Sequence, residues 1–303
     1  MKKQNLCLII IVIFLIIIPI LIKSPRWITT MNLMFYYMLL AVSWDLIMGY
    51  TGLFSFAHVA LAGIGGYVSS LLSIYLNVPP YLGVIIGGLT CAFCGLLIGV
   101  ICLKLRGFYL CLVTWAFAEI VGTIIRAAYK YTGGTGGLVV PTFFRSPSSV
   151  LYYYVGLLIT VIMVYFTFKL TNSRIGLYLR SIREDEAVAE VMGINTLKWK
   201  LFSFIISSFW AGVAGAFYAH YFGLIDTSIV GIDEMGKIMM MVVVGGIGTL
   251  FGPLLGAVFV TIVSEFIRGT MAIYGMIVFS IIIILMMRFA RGGIMGAAIK
   301  KLK

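Results

Sequence analysis

Few residues in this 303-residue chain could do chemistry, and most of those are acids. Three of the ten Asp and Glu residues stand together as Glu184-Asp185-Glu186, in a polar stretch between apolar runs. Glu119 and Glu265 lie inside apolar runs long enough to cross a membrane, where an ionised side chain costs at least about 2.5–3.5 kcal/mol. Arg126 follows Glu119 by two helical turns, and Arg268 follows Glu265 by three residues. For each acid a structural ion pair is the favoured reading, and a place beside a translocation pathway is the other. His58 follows Ser55 in a Gly-flanked segment. A lone histidine there is more often a packed, hydrogen-bonded residue than a ligand, and Ser55 and His58 stay candidates for the pathway.

The remaining patterns fall short of a catalytic, cofactor or metal site. Cys91 and Cys94 have C-x-x-C spacing, but no second pair or nearby histidine completes a tetrahedral zinc site. Gly236-Lys237 is followed by Ile238 where a Walker A run needs Ser or Thr, and Gly133 to Gly137 lacks the lysine. With two widely separated histidines, an intramembrane enzyme is improbable.

These residues must be held by elements built for lipid. Hydrophobic residues make up 62% and charged residues 11%, against about 45–50% and 25% in soluble domains. That composition excludes an ordinary cytosolic enzyme, a secreted disulfide scaffold and a nucleic-acid binder, despite the net charge of +12. About 20 apolar residues cross a hydrocarbon core about 30 Å thick. On that rule the chain is an all-α polytopic membrane protein with about ten spans, near 6–22, 31–49, 55–76, 82–103, 107–125, 150–168, 201–222, 236–250, 252–267 and 271–288. The Gly-rich 236–267 region has a re-entrant alternative. The first run is read as an uncleaved helix, since it has no small-residue cleavage site. An even count puts both termini on one side. With that side cytoplasmic, Lys and Arg divide 15 inside to 7 outside, as the positive-inside rule requires. The chain then forms a single membrane domain over 1–303, with an outer loop near 126–149 and an inner loop near 169–200.

The inner loop holds the acidic triplet. Ser181, with Glu184 three residues later, fits a capping box opening a short helix over 181–193. Acids near its start suit the helix dipole. Ala187, Val188, Val191 and Met192 fall on one face, and Gly193 suits the helix end. An apolar stripe there must lie on lipid or dock into a partner. The acidic start disfavours anionic headgroups, and a docking partner is preferred both to lipid and to a solvated loop that only carries positive-inside charge.

The run Gly176, Arg180, Ile182-Arg183-Glu184-Asp185-Glu186-Ala187, Ala189 and Gly193-Ile194-Asn195, continued by Lys200 and Phe204, resembles the cytoplasmic coupling segment of ABC-importer permeases. More narrowly it resembles the permeases of branched-chain amino-acid uptake systems. Agreeing blocks are Gly49 to His58, Gly63 to Tyr67, Gly133 to Leu138, Ala211 to Tyr218 and Gly245 to Pro253, in order across most of residues 40–293. Asp45 departs from the Asn common in the family, and Phe289-Ala290-Arg291-Gly292 departs from Arg-Pro-Arg-Gly. The resemblance implies a prokaryotic plasma (inner) membrane permease without cofactors, importing branched-chain or other small amino acids by alternating access. It would pair with a second permease, identical or not, with two cytoplasmic ATP-binding subunits and with an extracytoplasmic solute-binding protein. Coupling to the ATPases would fall to Arg183, Glu184, Asp185, Ala187, Val188, Ala189, Val191, Met192 and Gly193. Related permeases serve urea, amides, sugars or nucleosides. From a different class, an ion-coupled secondary transporter would use Asp45, Glu119 or Glu265 as coupling acids.

Overall fold

The computed structural model describes residues 19, 24–103, 105, 107–144, 149–270 and 293–296. The spans expected over 6–22 and 271–288 and the 289–292 motif lie outside those residues, apart from Pro19. Among these residues the α-helices used below are, in order, α1 (Pro25–Thr51), α2 (His58–Tyr75), α3 (Pro80–Cys102), α4 (Phe108–Ala127), α5 (Tyr129–Thr132), α6 (Ser149–Thr171), α7 (Arg174–Glu184), α8 (Glu186–Val191), α9 (Thr196–Phe222), α10 (Ile232–Gly245) and α11 (Gly252–Thr270). Six of them, α1, α2, α3, α4, α6 and α9, are long and apolar enough to cross a membrane. The fold is that of a helical, multi-pass membrane protein. Among the described residues the six stand where six of the ten expected spans were placed. The span expected over 236–250 is instead a 14-residue helix, rising only about 21 Å. Its first turn carries Asp233 and Glu234.

The helix ends follow from local chemistry. Proline occupies the first turns of α1 and α3, where its missing N–H would have no partner anyway. α9 is the hub, packing against α3, α2 and α1. Gly83, Gly87, Gly88, Gly95 and Gly99 line the buried face of α3 toward this hub, while Ile85, Leu89, Phe93, Val100 and Ile101 face outward. Lipid tails are as apolar as leucine, so close backbone packing must supply the association energy in place of a hydrophobic drive. At the opposite end from α7 and α8, the strands β1 (Leu138–Val139) and β2 (Leu224–Ile225) pair antiparallel and tie the 133–144 loop to the end of α9.

Two connections fold back into the bundle. After α1 ends at Thr51, residues 52–57 return so that the Trp44 indole donates to Ser55 O at 2.8 Å. His58 then stands level with Ser43, about 12 Å short of the end of α1. At the other end, residues 226–231 dip inward until Val230 packs on Gly63 of α2, and α10 starts there. α10 and α11 form a hairpin whose turn, residues 246–251, rests against α1.

Candidate functional site: the α7–α8 segment and its clamp

The segment joining α6 to α9 comprises two helices with a corner between them. Ser173 caps α7 by accepting from Ile175 N at 3.2 Å. α7 buries Leu179 and Ile182, and Leu179 packs on Leu46, Tyr50 and Leu170. The Arg180 guanidinium lies 5.4 Å from the centre of the Tyr50 ring. The expected single helix over 181–193 is therefore corrected. The Ser181 hydroxyl donates back to Leu177 O at 3.0 Å, because Ser181 already lies inside α7 and is no cap. Asp185 is the corner. Its backbone is extended (φ −158°, ψ 112°), and its carboxylate accepts from Ala187 N at 2.9 Å and Val188 N at 3.1 Å, opening α8.

α8 holds to the bundle by its acids and exposes its apolar residues. Glu186 pairs with Lys200 of α9 at 2.5 Å, and Glu190 accepts from Thr196 Oγ1 at 2.7 Å. Ala189 is buried beneath. Val188, Val191 and Met192 point away, 58%, 87% and 77% exposed, a patch far too apolar to be left in water without cause. Gly193 follows at φ +83°, and Asn195 caps α9 by accepting from Lys198 N. The Lys200 side chain is only 4% exposed, so its charge depends on Glu186. Glu186→Gln is expected to loosen α8 by about 1–3 kcal/mol, below the cost of breaking a fully buried pair because Glu186 is a quarter exposed. Hydrogen exchange of the amides of 186–193 should rise about tenfold or more. Unchanged protection would show that the pair does not hold the helix.

Arg183, near the end of α7, reaches the opposite way. Its Nη1 donates to Gly49 O of α1 at 2.5 Å. Beside it Asp45, 2% exposed, accepts from Gly248 N at 2.8 Å. Gly248 has φ +74°, and a Cβ there would strike Arg183 Nη1 and Gly49 O. One turn of α1, the end of α7 and the α10–α11 turn thus meet at a guanidinium, a carboxylate and two glycine backbones. A displacement of α7 must be felt by the α10–α11 hairpin. Asp45 holds the turn through that hydrogen bond from Gly248 N.

The match to known proteins decides the class: residues 27–287 fit the model described as branched-chain amino acid transport system, permease component. The chain belongs to that permease family. It is 27% identical over 329 residues to the high-affinity branched-chain amino acid transport system permease protein LivM of Escherichia coli (strain K12), covering 99% of this chain and 77% of that one. It is 26% identical over 244 residues to LivH of the same organism, covering 73% of this chain and 78% of that one. A probable permease LivH of Methanocaldococcus jannaschii is 31% identical over 142 residues, 44% of each chain. No solved structure matches the chain.

Within the permease, the other candidate residues are spread apart. Ser55 Oγ accepts from Ala57 N, turning the chain into α2. His58 is fully buried, with Nε2 2.5 Å from Ser207 Oγ, and Ser207 donates to Ser43 O at 2.6 Å. A hydroxyl has one proton to give, so Nε2 is the donor to Ser207 and His58 fastens α1, α2 and α9 together. Glu119 is exposed on the outer face of α4 and has no ion-pair or hydrogen-bond partner among the described residues. Arg126 donates to Thr123 Oγ1 at 3.2 Å instead of reaching Glu119. Glu265 pairs with Arg26 of α1 at 3.0 Å, a partner 239 residues away, while the Arg268 side chain lies outside the described ones.

Sequence reasoning missed a second polar locus. Tyr37 donates to Glu234 Oε2 at 3.0 Å, and Lys237 pairs with Oε1 at 2.5 Å. Tyr37, Glu234 and the Arg26–Glu265 pair border one cavity of about 390 Å³ at the end of the bundle remote from α7 and α8. The unusual charge density of Asp226 to Lys237 in an apolar chain was the available signal.

Proposed function

We propose that this chain is one permease subunit of an ATP-driven importer of branched-chain amino acids. Its partners would be a second permease, two cytoplasmic ATP-binding subunits and an extracytoplasmic solute-binding protein. The kinship with both LivM and LivH supports a permease pair, and the names of those relatives support the substrate class. The α7–α8 end faces the cytoplasm in this reading, with both termini on that side of a prokaryotic inner membrane. The observation that carries the reading is α8 itself. Its acids are tied to α9, and Val188, Val191 and Met192 are presented to whatever docks there.

Alternating access then has a mechanical route. Closure of the ATPase dimer displaces α8 and α7, Arg183 passes the movement to Gly49 and the Gly248 turn, and α10 carries it toward the opposite end. The ion-coupled alternative fits less well, because Asp45 and Glu265 are already committed to Gly248 N and Arg26, and Glu119 lies exposed on α4 and not within the bundle.

The docking face supplies the test. Fully burying a Val or Met side chain yields about 1.5–3 kcal/mol, so a charge at Val191 or Met192 removes that gain and adds a desolvation cost. Val191→Glu and Met192→Glu are each expected to reduce co-purification of the ATP-binding subunit about tenfold or more. Amino-acid uptake should fall in parallel. Wild-type recovery in both variants, or uptake by this chain alone without nucleotide, would sink the reading.

A further inference from the structure

A cleft runs along one flank of the bundle and ends at α7. α6 and α11 both pack on α1, and the cleft is the space left between them. Met38 of α1 is its floor, with Val161, Val164 and Phe168 of α6 on one wall and Leu254 and Val258 of α11 on the other. Its volume of about 700 Å³ lies in the range of small-molecule sites, about 300–1,000 Å³. It follows α1 from Phe35 to Tyr50, roughly 22 Å along the helix. The threonines on its border keep their hydroxyls on the backbone. Thr160 donates to Gly156 O, Thr171 to Thr167 O and Thr249 to Gly246 O, each at 2.8 Å. Beyond Tyr50 and Asn172 the cleft therefore presents hydrocarbon alone. At the α7 end the chemistry changes. There Arg180 borders the space, exposed and set over the Tyr50 ring, and no carboxylate pairs with it among the described residues. A guanidinium carries five N–H donors on its edge, more than one tyrosine can occupy.

We propose that this cleft binds an acidic glycerophospholipid from the leaflet on the α7 side, with one acyl chain between α6 and α11 and the phosphate on Arg180. Half of a hydrocarbon core about 30 Å thick is about 15 Å, so a single leaflet's chain and the glycerol above it match the length of the cleft. Leu255 on the rim is 43% exposed, at a depth where the surrounding medium is acyl chain. A small polar solute would find no partners between the walls, and a wholly apolar one would leave the cation unused. A cytoplasmic leaflet is negatively charged at its surface and attracts arginine there. The choice of leaflet rests on the import reading, which puts α7 on the cytoplasmic side; the cleft and its cation do not. The bound lipid also bears on the clamp. Arg180 belongs to α7, and Gly248 to Phe251 of the α10–α11 turn border the same cleft. The lipid thus touches both parts that Arg183 joins, and braces them from the membrane side.

The test uses the assembled transporter in detergent and a phosphatidylglycerol that carries a photoreactive diazirine at mid-chain. Labelled peptides are mapped by mass spectrometry, with unlabelled phosphatidylglycerol or phosphatidylcholine as competitor. Label should saturate on residues 157–168 and 254–258. Phosphatidylglycerol should compete about fivefold better than phosphatidylcholine, the share of one interfacial cation. Arg180→Gln should abolish that preference. Val164→Trp, which fills the cleft away from Arg180, should lower the label on both segments about tenfold while the protein melts as wild type. Should that variant not fold, Arg180→Gln decides alone, since its side chain is exposed. Equal competition by the two lipids, or label spread evenly onto the outward face of α3 at Leu89 and Phe93, would mean bulk lipid only and overturns the site. Absence of label from both α6 and α11 would mean that protein covers the cleft, a second permease or another part of this chain, and overturns it too. The labelling needs neither nucleotide nor amino acid. A failed lipid site therefore leaves the import reading standing, and lost uptake or lost recovery of the ATP-binding subunit leaves the labelling readable.

Discussion

Arg183→Ala is expected to abolish most substrate movement while the docking helix stays in place. Arg183 is the described side chain of α7 that grips both α1 and the α10–α11 turn. Nη1 is bonded to Gly49 O, and Gly248 is packed directly on the guanidinium. A charge-assisted hydrogen bond contributes about 1.5–3 kcal/mol, and the lower end applies because Arg183 is partly exposed. The link between α7 and the turn should therefore loosen about tenfold. The lost charge also leaves Asp45, 2% exposed, facing Gly248 N without a nearby cation. Arg183→Lys should rescue little, since an ammonium point charge cannot reproduce the planar guanidinium geometry. Asp45→Asn in the Arg183→Ala background should rescue more: it retains an oxygen acceptor for Gly248 N and deletes the charge left uncompensated. The ATP-binding subunit should still co-purify, because Val188, Val191 and Met192 are untouched. Uptake and ATP-binding-subunit recovery measured on the same preparations separate the outcomes. Wild-type uptake in Arg183→Ala would refute the clamp.

The contrast between what sequence patterns reveal here and what they hide has a physical basis. α3 was legible because a charge-free run between Pro80 and Cys102 has one solution in lipid. The docking face was legible because Val188, Val191 and Met192 repeat at helical spacing. The corner at Asp185 was not, since Ser181 and Glu184 match a capping box as well as Asp185 matches a cap. What decides is that α7 starts at Ser173, which puts Ser181 inside a helix, where its hydroxyl turns back to Leu177 O. A nearby partner misleads in the same way at Glu119, since Arg126 turns to Thr123, and Glu265 meets a distant partner, Arg26, that no local pattern offers. The cavity needed tertiary information throughout. Tyr36 and Tyr37 read as ordinary span residues until the 226–231 segment folds back and brings Glu234 to them.

The second large effect belongs to the centre of the bundle. Gly65→Leu is expected to prevent the helices from assembling. A Cβ on Gly65 would lie 2.5 Å from Gly212 Cα and 2.7 Å from its carbonyl carbon, and backbone cannot rotate out of the way. The same point receives α3, where a Cβ on Gly87 would stand 2.7 Å from Gly65 O, and where Cys91 donates to Leu61 O at 2.9 Å. Moving α2 away from α9 also strains the two cross-links on either side of the contact, His58 to Ser207 at 2.5 Å and Ser69 to His220 at 2.7 Å. In water, burial of apolar area would offset part of such a separation. In lipid it does not, because the newly exposed faces are solvated by tails as well as by each other. Overpacking a core costs about 1–3 kcal/mol where neighbours can shift, and here the neighbours are backbone. Gly65→Ala should lower the melting temperature of the detergent-solubilised protein by several degrees, and Gly65→Leu should leave little monodisperse protein to melt. Gly136→Ala is the control, with nothing within 4 Å of the added carbon, and should melt as wild type. A Gly65→Leu protein that is monodisperse and melts with the control would mean that α2 and α9 do not touch through their glycines, and the α2–α3–α9 packing described above would have to be redrawn.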